Sequence, residues 1–120
     1  MFKTILISLF FISNIFAFEH LNENNFDEKI KKGNTLIKFY ATWCDICKES
    51  SNNLSKYKID KTLNLSIYKV DIGEEVYLTK KYDATTIPLF IYFKDGKEIA
   101  REDAIKTTEQ IKDSINKYFQ

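Results

Sequence analysis

Five consecutive residues, Leu89-Phe90-Ile91-Tyr92-Phe93, show no alternation of apolar and polar side chains. A strand with one wet face alternates, so a run that is apolar throughout predicts a strand covered on both faces. Covering both faces requires helices above and below a sheet, and therefore a layered α/β domain. The flanking segments fit that demand. Thr35 to Tyr40 and Leu65 to Val70 read as further strands. Asn24 or Asn25 is placed to cap a short helix through Lys32, which Gly33 would end in a left-handed turn. A helix is expected from Cys44 toward Leu54 or Tyr57, weakened by its Ser50-Ser51-Asn52-Asn53 tract, and another from Glu75 to Tyr82. Asp95-Gly96 predicts a hairpin into Glu98-Ile99-Ala100. Thr107 with Gln110 forms a capping box for a last helix, on which Ile111, Ile115 and Phe119 recur at core-facing spacing. With a short strand around Phe18 to Leu21, the expected fold is an α/β sandwich: a central mixed sheet flanked by helices on both faces.

The chain has 120 residues, enough for one core and too few for two. Eighteen Lys and Arg against seventeen Asp and Glu exclude the basic excess expected of a nucleic-acid-binding protein. Residues 1–17 differ from the rest. Lys3 precedes an apolar stretch beginning Ile5-Leu6-Ile7, and Ala17, with Ile15 two positions before it, offers a small residue for cleavage. This predicts a signal peptide over 1–17 and a domain over 18–120, because the stretch is short for a membrane span. The alternative is an uncleaved anchor. An exported protein places its thiols in an oxidising, periplasmic compartment. The run Lys29, Lys31, Lys32 predicts a solvated helix face, and His20 a solvent-exposed position.

The chain's two cysteines occur as Trp43-Cys44-Asp45-Ile46-Cys47-Lys48, after a strand and at the opening of a helix. Two residues between them, on the first helical turn, bring the sulfurs within bonding reach. The first stays at the exposed helix N-terminus, where free N–H groups and the helix dipole stabilise a thiolate. Cys44 is therefore the expected attacking thiol and Cys47 the resolving one. Other chemistry fits poorly. Zinc usually takes four ligands, and beyond the two cysteines the chain offers one histidine, His20, far away in sequence. Haem attachment needs His where Lys48 stands. A purely structural disulfide closing four residues would stabilise little. No cofactor is expected beyond the Cys44–Cys47 couple itself, and no metal.

These residues resemble the thioredoxin family. Phe39-Tyr40-Ala41-Thr42-Trp43-Cys44 is similar to the family's active-site entry, Val70-Asp71 to the end of its next strand, and Thr86-Ile87-Pro88 with Asp95-Gly96 to its cis-proline segment and hairpin. The resemblance covers nearly all of 22–119. It implies the thioredoxin fold, a cis Pro88 packed against the disulfide, an Ile87 backbone presented to a client strand, and Trp43 as a lid on the client groove. Without the family, Trp43 is also readable as a core aromatic, and Pro88 as a strand-entry residue. The chain departs from cytoplasmic thioredoxins at several positions. Lys38 stands for their buried Asp, Asp45-Ile46 for Gly-Pro and Ala104 for a Gly, and the proline that kinks their active-site helix is missing. These departures resemble exported thioredoxin-like reductases.

Lys38 sits mid-strand among apolar neighbours. One reading has it snorkelling to a sheet edge; the other sets its ammonium near Cys47, favouring the thiolate. Asp45 opposes that effect while favouring the helix start. Each is expected to stay within about one pKa unit, equivalent to about 30 mV for a two-electron couple. The absence of His between the cysteines favours a reductase. The expected activity is thiol–disulfide exchange with protein clients, as a monomer fed by an upstream donor such as a membrane reductase. The alternatives are a non-catalytic binding module and a disulfide-forming oxidant.

Overall fold

The computed structural model describes residues 18–103 and 106–120, so the expectations placed on 1–17 and on Ala104 lie outside the described residues. The chain runs β1 (Glu19–His20), α1 (Phe26–Ile30), β2 (Asn34–Tyr40), α2 (Asp45–Ser55), a 3-10 turn (Lys61–Leu63), β3 (Leu65–Asp71), α3 (Val76–Lys81), β4 (Leu89–Lys94), β5 (Lys97–Glu102) and α4 (Thr108–Phe119). The strands form one mixed sheet in the order β1-β3-β2-β4-β5. β2 and β1 run parallel to β3, whereas β4 runs antiparallel to β2 and β5.

The apolar pentad lies next to the central strand. Leu89 through Phe93 are all buried, because each face of the sheet carries its own core. On one face Ile37, Phe39, Val70, Leu89, Ile91 and Phe93 pack with Phe26 and Ile30 of α1 and Leu78 of α3. On the other, Leu36, Ile67, Phe90 and Tyr92 pack with Leu54 of α2 and Ile111, Ile115 and Phe119 of α4. Burying one such side chain stabilises by roughly 1.5–3 kcal/mol. Tyr92 stays buried because its hydroxyl donates to Glu102 at 2.9 Å. That carboxylate also accepts from Ser114 and Tyr118, at 3.1 and 3.2 Å, tying β5 to α4. Burial, with the Glu102 charge second, drives the Tyr92 phenol far above its usual range.

Local signals set most boundaries. Asp95 and Gly96 both have positive φ, 50° and 85°, as a two-residue hairpin turn requires. Gly33, at φ 78°, follows the first helix. That helix is shorter than expected, and neither expected asparagine caps it by its side chain. Asn22 begins the turn instead: its Oδ1 accepts from the Asn24 and Asn25 N–H groups. At the free edges, β1 has two residues, and β5 is exposed over Lys97–Ile99 and at Arg101. The β4–β5 register also shifts between Tyr92 and Phe93.

The capping box closes both ways. Thr107 Oγ1 accepts from Gln110 N–H at 3.1 Å, and Gln110 Oε1 accepts from Thr107 N–H at 3.0 Å. Thr107→Ala is expected to cost about 1 kcal/mol in urea-unfolding stability, with an unchanged m-value.

Candidate active site

β2 ends at Tyr40, the chain turns through Ala41-Thr42-Trp43, and Cys44 is the N-cap of α2. The cap residue has extended backbone geometry, so its sulfur faces the unpaired end of the helix. Cys47 N–H donates to Cys44 Sγ at 3.1 Å. The cysteines form a disulfide with their Cα atoms 5.2 Å apart. Their exposure is unequal: Cys44 is half-buried, while Cys47 is 1% exposed. A partner sulfur can therefore approach Cys44, whereas Cys47 is too buried for one to reach.

Trp43 is 69% exposed, which rules out the core-aromatic reading. The indole lies against Gly73: a Cβ there would stand 3.2 Å from two of its ring carbons. Asp71 ends β3, and its Oδ1 accepts from Gly73 N–H at 2.8 Å, fixing the turn on which the ring rests. Asp45 is exposed and pairs with Lys48 at 3.7 Å, a surface contact of small energetic weight. The Ile87–Pro88 peptide bond is cis, with Pro88 buried and Ile87 packed on the α1–α3 core. Phe39 pairs with Leu89, so the β2–β4 register brings Pro88 to the sheet end from which Trp43 and Cys44 emerge.

Lys38 lies on β2, between β3 and β4, and is 2% exposed. There is no edge for it to snorkel to. Its Nζ donates to the Cys47 carbonyl oxygen at 2.8 Å and to Ser51 Oγ, both on α2. Burial pulls the ammonium from 10.5 to about 8, and the neighbouring charge of Lys69 pulls the same way. Lys69 is its register partner on β3, and both ammonium groups stand 5.7 Å from the centre of the Tyr40 ring. The Tyr40 hydroxyl is hydrogen-bonded to His20 Nε2. Burial, and then Lys69, lowers the His20 imidazole below its usual value, while burial raises the Tyr40 phenol. An open groove of about 400 Å³, lined by Tyr40, Thr42, Cys47, Lys48, Ser51 and Asn52, reaches both partners of the Lys38 ammonium. Among the described residues no cluster of three or more His, Cys, Asp or Glu is arranged to hold a metal ion.

A family model described as thioredoxin matches residues 17–117. The chain belongs to the thioredoxin family. It is 30% identical over 103 residues to thioredoxins of Staphylococcus saprophyticus and Staphylococcus epidermidis, an alignment covering 86% of this chain and 99% of each relative. The oxidised mitochondrial thioredoxin 3 of Saccharomyces cerevisiae superimposes with a TM-score of 0.73 at 27% identity, over 84% of this chain and 94% of that one. Plasmodium falciparum thioredoxin does so with 0.73 at 25%, over 83% and 98%. The five-stranded mixed sheet with helices on both faces is thus the thioredoxin fold. With its Cys44–Cys47 pair, this member of the family is a thiol–disulfide oxidoreductase acting on protein disulfides, and the disulfide is its own redox group.

Sequence reasoning does not single out Ser51, Lys69 or Gly73. By propensity the Ser50-Ser51-Asn52-Asn53 tract marks only a weak stretch of helix. Ser51 instead receives the Lys38 ammonium, and Asn53 Nδ2 donates to the Lys106 carbonyl at 2.8 Å. These partners lie 13 and 53 positions away, so no local pattern marks them. The buried ammonium also has a measurable consequence. Folded, Lys38 binds its proton more weakly than unfolded, so the unfolded chain holds more protons between about pH 8 and 10.5. Lys38 on its own therefore adds to the stability of the oxidised protein as pH rises through that window, by roughly 3 kcal/mol. Lys38→Met is expected to remove that contribution, as judged by urea unfolding of both proteins below and above pH 8. An equal pH slope in the two proteins would contradict the assignment.

Proposed function

We propose that this thioredoxin is an exported reductase of protein disulfides. The observation that carries the reading is the unequal exposure of the two sulfurs at the N-terminus of α2. In the reduced protein, the Cys44 thiolate attacks a client disulfide, forming a mixed disulfide and releasing one client thiolate. Cys47 then loses its proton and attacks Cys44 Sγ. The Cys44–Cys47 bond forms, and the second client sulfur leaves as a thiolate and takes up a proton. Two electrons and the Cys47 proton pass to the client, whose first thiolate takes its proton from water, and an upstream dithiol donor, such as a membrane reductase, restores the pair. The exposed indole of Trp43 and the segment at Ile87–Pro88 offer an apolar, strand-like seat for the client beside Cys44. Asp45-Ile46 between the cysteines, with no imidazole there to stabilise the Cys44 thiolate further, supports the reducing direction. The apolar stretch of residues 1–17 supports export to the periplasm, where the domain from Phe18 onward works as a monomer.

Dithiothreitol-driven reduction of insulin is the direct test. The wild-type protein should turn over, and Cys44→Ser should lose essentially all turnover. If both proteins leave insulin intact, the fold serves as a binding module instead. Export is tested separately by the intact mass of the protein from its native host, which should correspond to a chain beginning near Phe18. A full-length mass, with recovery in carbonate-washed membranes, would replace cleavage by an anchor.

A further inference from the structure

An ammonium group inside a β-sheet protein is costly, since burial of a charge is repaid only by close partners. Methionine would fill the Lys38 position without that cost. Among the described residues no carboxylate pairs with the charge: Nζ is held by two neutral acceptors, the Cys47 carbonyl and Ser51 Oγ. Its surroundings are known from each packed element. Across β3 stands Lys69, which repels it, and two register pairs further Asp71 faces Tyr40. On β1 is His20, bonded to the Tyr40 hydroxyl. On β4 the register partner is the apolar Phe90. From α2 it meets Cys47 and Ser51, with Lys48 at the mouth of the groove. The residue whose carbonyl receives the ammonium also carries a thiol that can ionise once the disulfide is reduced: Cys47.

We propose that Lys38 is a positioning residue for the resolving thiol: its ammonium, fixed beneath α2 by Cys47 and Ser51, favours ionisation of the Cys47 thiol in the mixed disulfide. The role deepens the reductase reading and rests on it. When the client is bound to Cys44, Cys47 must give up a proton before attacking, and it is buried where an unassisted thiol ionises reluctantly. The positive charge favours that loss, and the groove at Cys47 and Ser51 gives the proton a route to water. The S–S bond then forms by attack on Cys44 Sγ, and the client thiolate departs. That the ammonium is already weakened in the oxidised protein fits this role, since it gains its counter-charge only on reduction.

The test separates Lys38 from client chemistry. In a Cys44→Ser background, Cys47 is the sole thiol, and its ionisation is followed by thiolate ultraviolet absorbance against pH, with no client present. Adding Lys38→Gln, which removes the charge and keeps a hydrogen-bond donor, should raise the Cys47 titration by about one pH unit. Lys38→Met should do the same, so the result does not depend on one variant folding. With both cysteines restored, the mixed disulfide should resolve about threefold more slowly at neutral pH in Lys38→Gln. Thiolate would fall about tenfold, partly offset by greater nucleophilicity of the less acidic thiol. The difference should close as the pH rises past the titration of the lysine. A Cys47 titration unchanged by Lys38→Gln and Lys38→Met overturns the proposal, as does a shift in Lys38→Met alone, which would assign the effect to hydrogen bonding. Because this readout needs no client, it stands or falls independently of insulin turnover.

Discussion

Everything in this molecule hangs on a sheet whose central strands are enclosed on both faces. β2 lies between a parallel and an antiparallel neighbour, and its residues 35–39 are buried. Two cores result, one under α1 and α3 and one under α2 and α4. That arrangement leaves the strand ends as the places where polar chemistry meets solvent. The end of β2 that delivers Trp43 and Cys44 is also where β4 enters after Pro88. The site is therefore a consequence of strand direction: an antiparallel partner starts where β2 stops.

The same enclosure gives Lys38 its significance. On an edge strand the side chain would reach water; on β2 it is confined under the helix that carries both cysteines. Fold and redox chemistry meet in the first turns of α2. Cys44 caps the helix, Cys47 N–H contacts its sulfur, and Cys47 O and Ser51 Oγ receive the ammonium from below. The helix thus joins an exposed sulfur on one side to a buried charge on the other.

Features governed by neighbours in sequence are legible in the sequence itself. The apolar pentad, the Asp95-Gly96 turn, the Thr107–Gln110 box and the cysteine spacing each depend on residues within a few positions of one another, and each reappears in the structure. What stayed hidden depends on register. Nothing local distinguishes a lysine on a central strand from one on an edge, because the difference lies in which strands flank it. Trp43 had two readings until the turn after β3 set Gly73 beneath its ring. Asn22 lost out to Asn24 and Asn25 as the expected cap because all three have suitable side chains, and the backbone path chose among them.

The two free margins of the sheet are worth considering together. A protein that handles extended client segments risks having its own sheet lengthened by them, or by another copy of itself. β1 is too short to template a long ladder, and β5 presents Lys97, Glu98 and Arg101 with an irregular register against β4. Arg101 and Glu98 are joined by two short hydrogen bonds along that margin. Short, charged and irregular edges disfavour strand addition. Backbone pairing with a foreign segment is thereby discouraged along both flanks of the sheet, leaving its end, beside the cysteines, as the place where an extended chain can be received and let go.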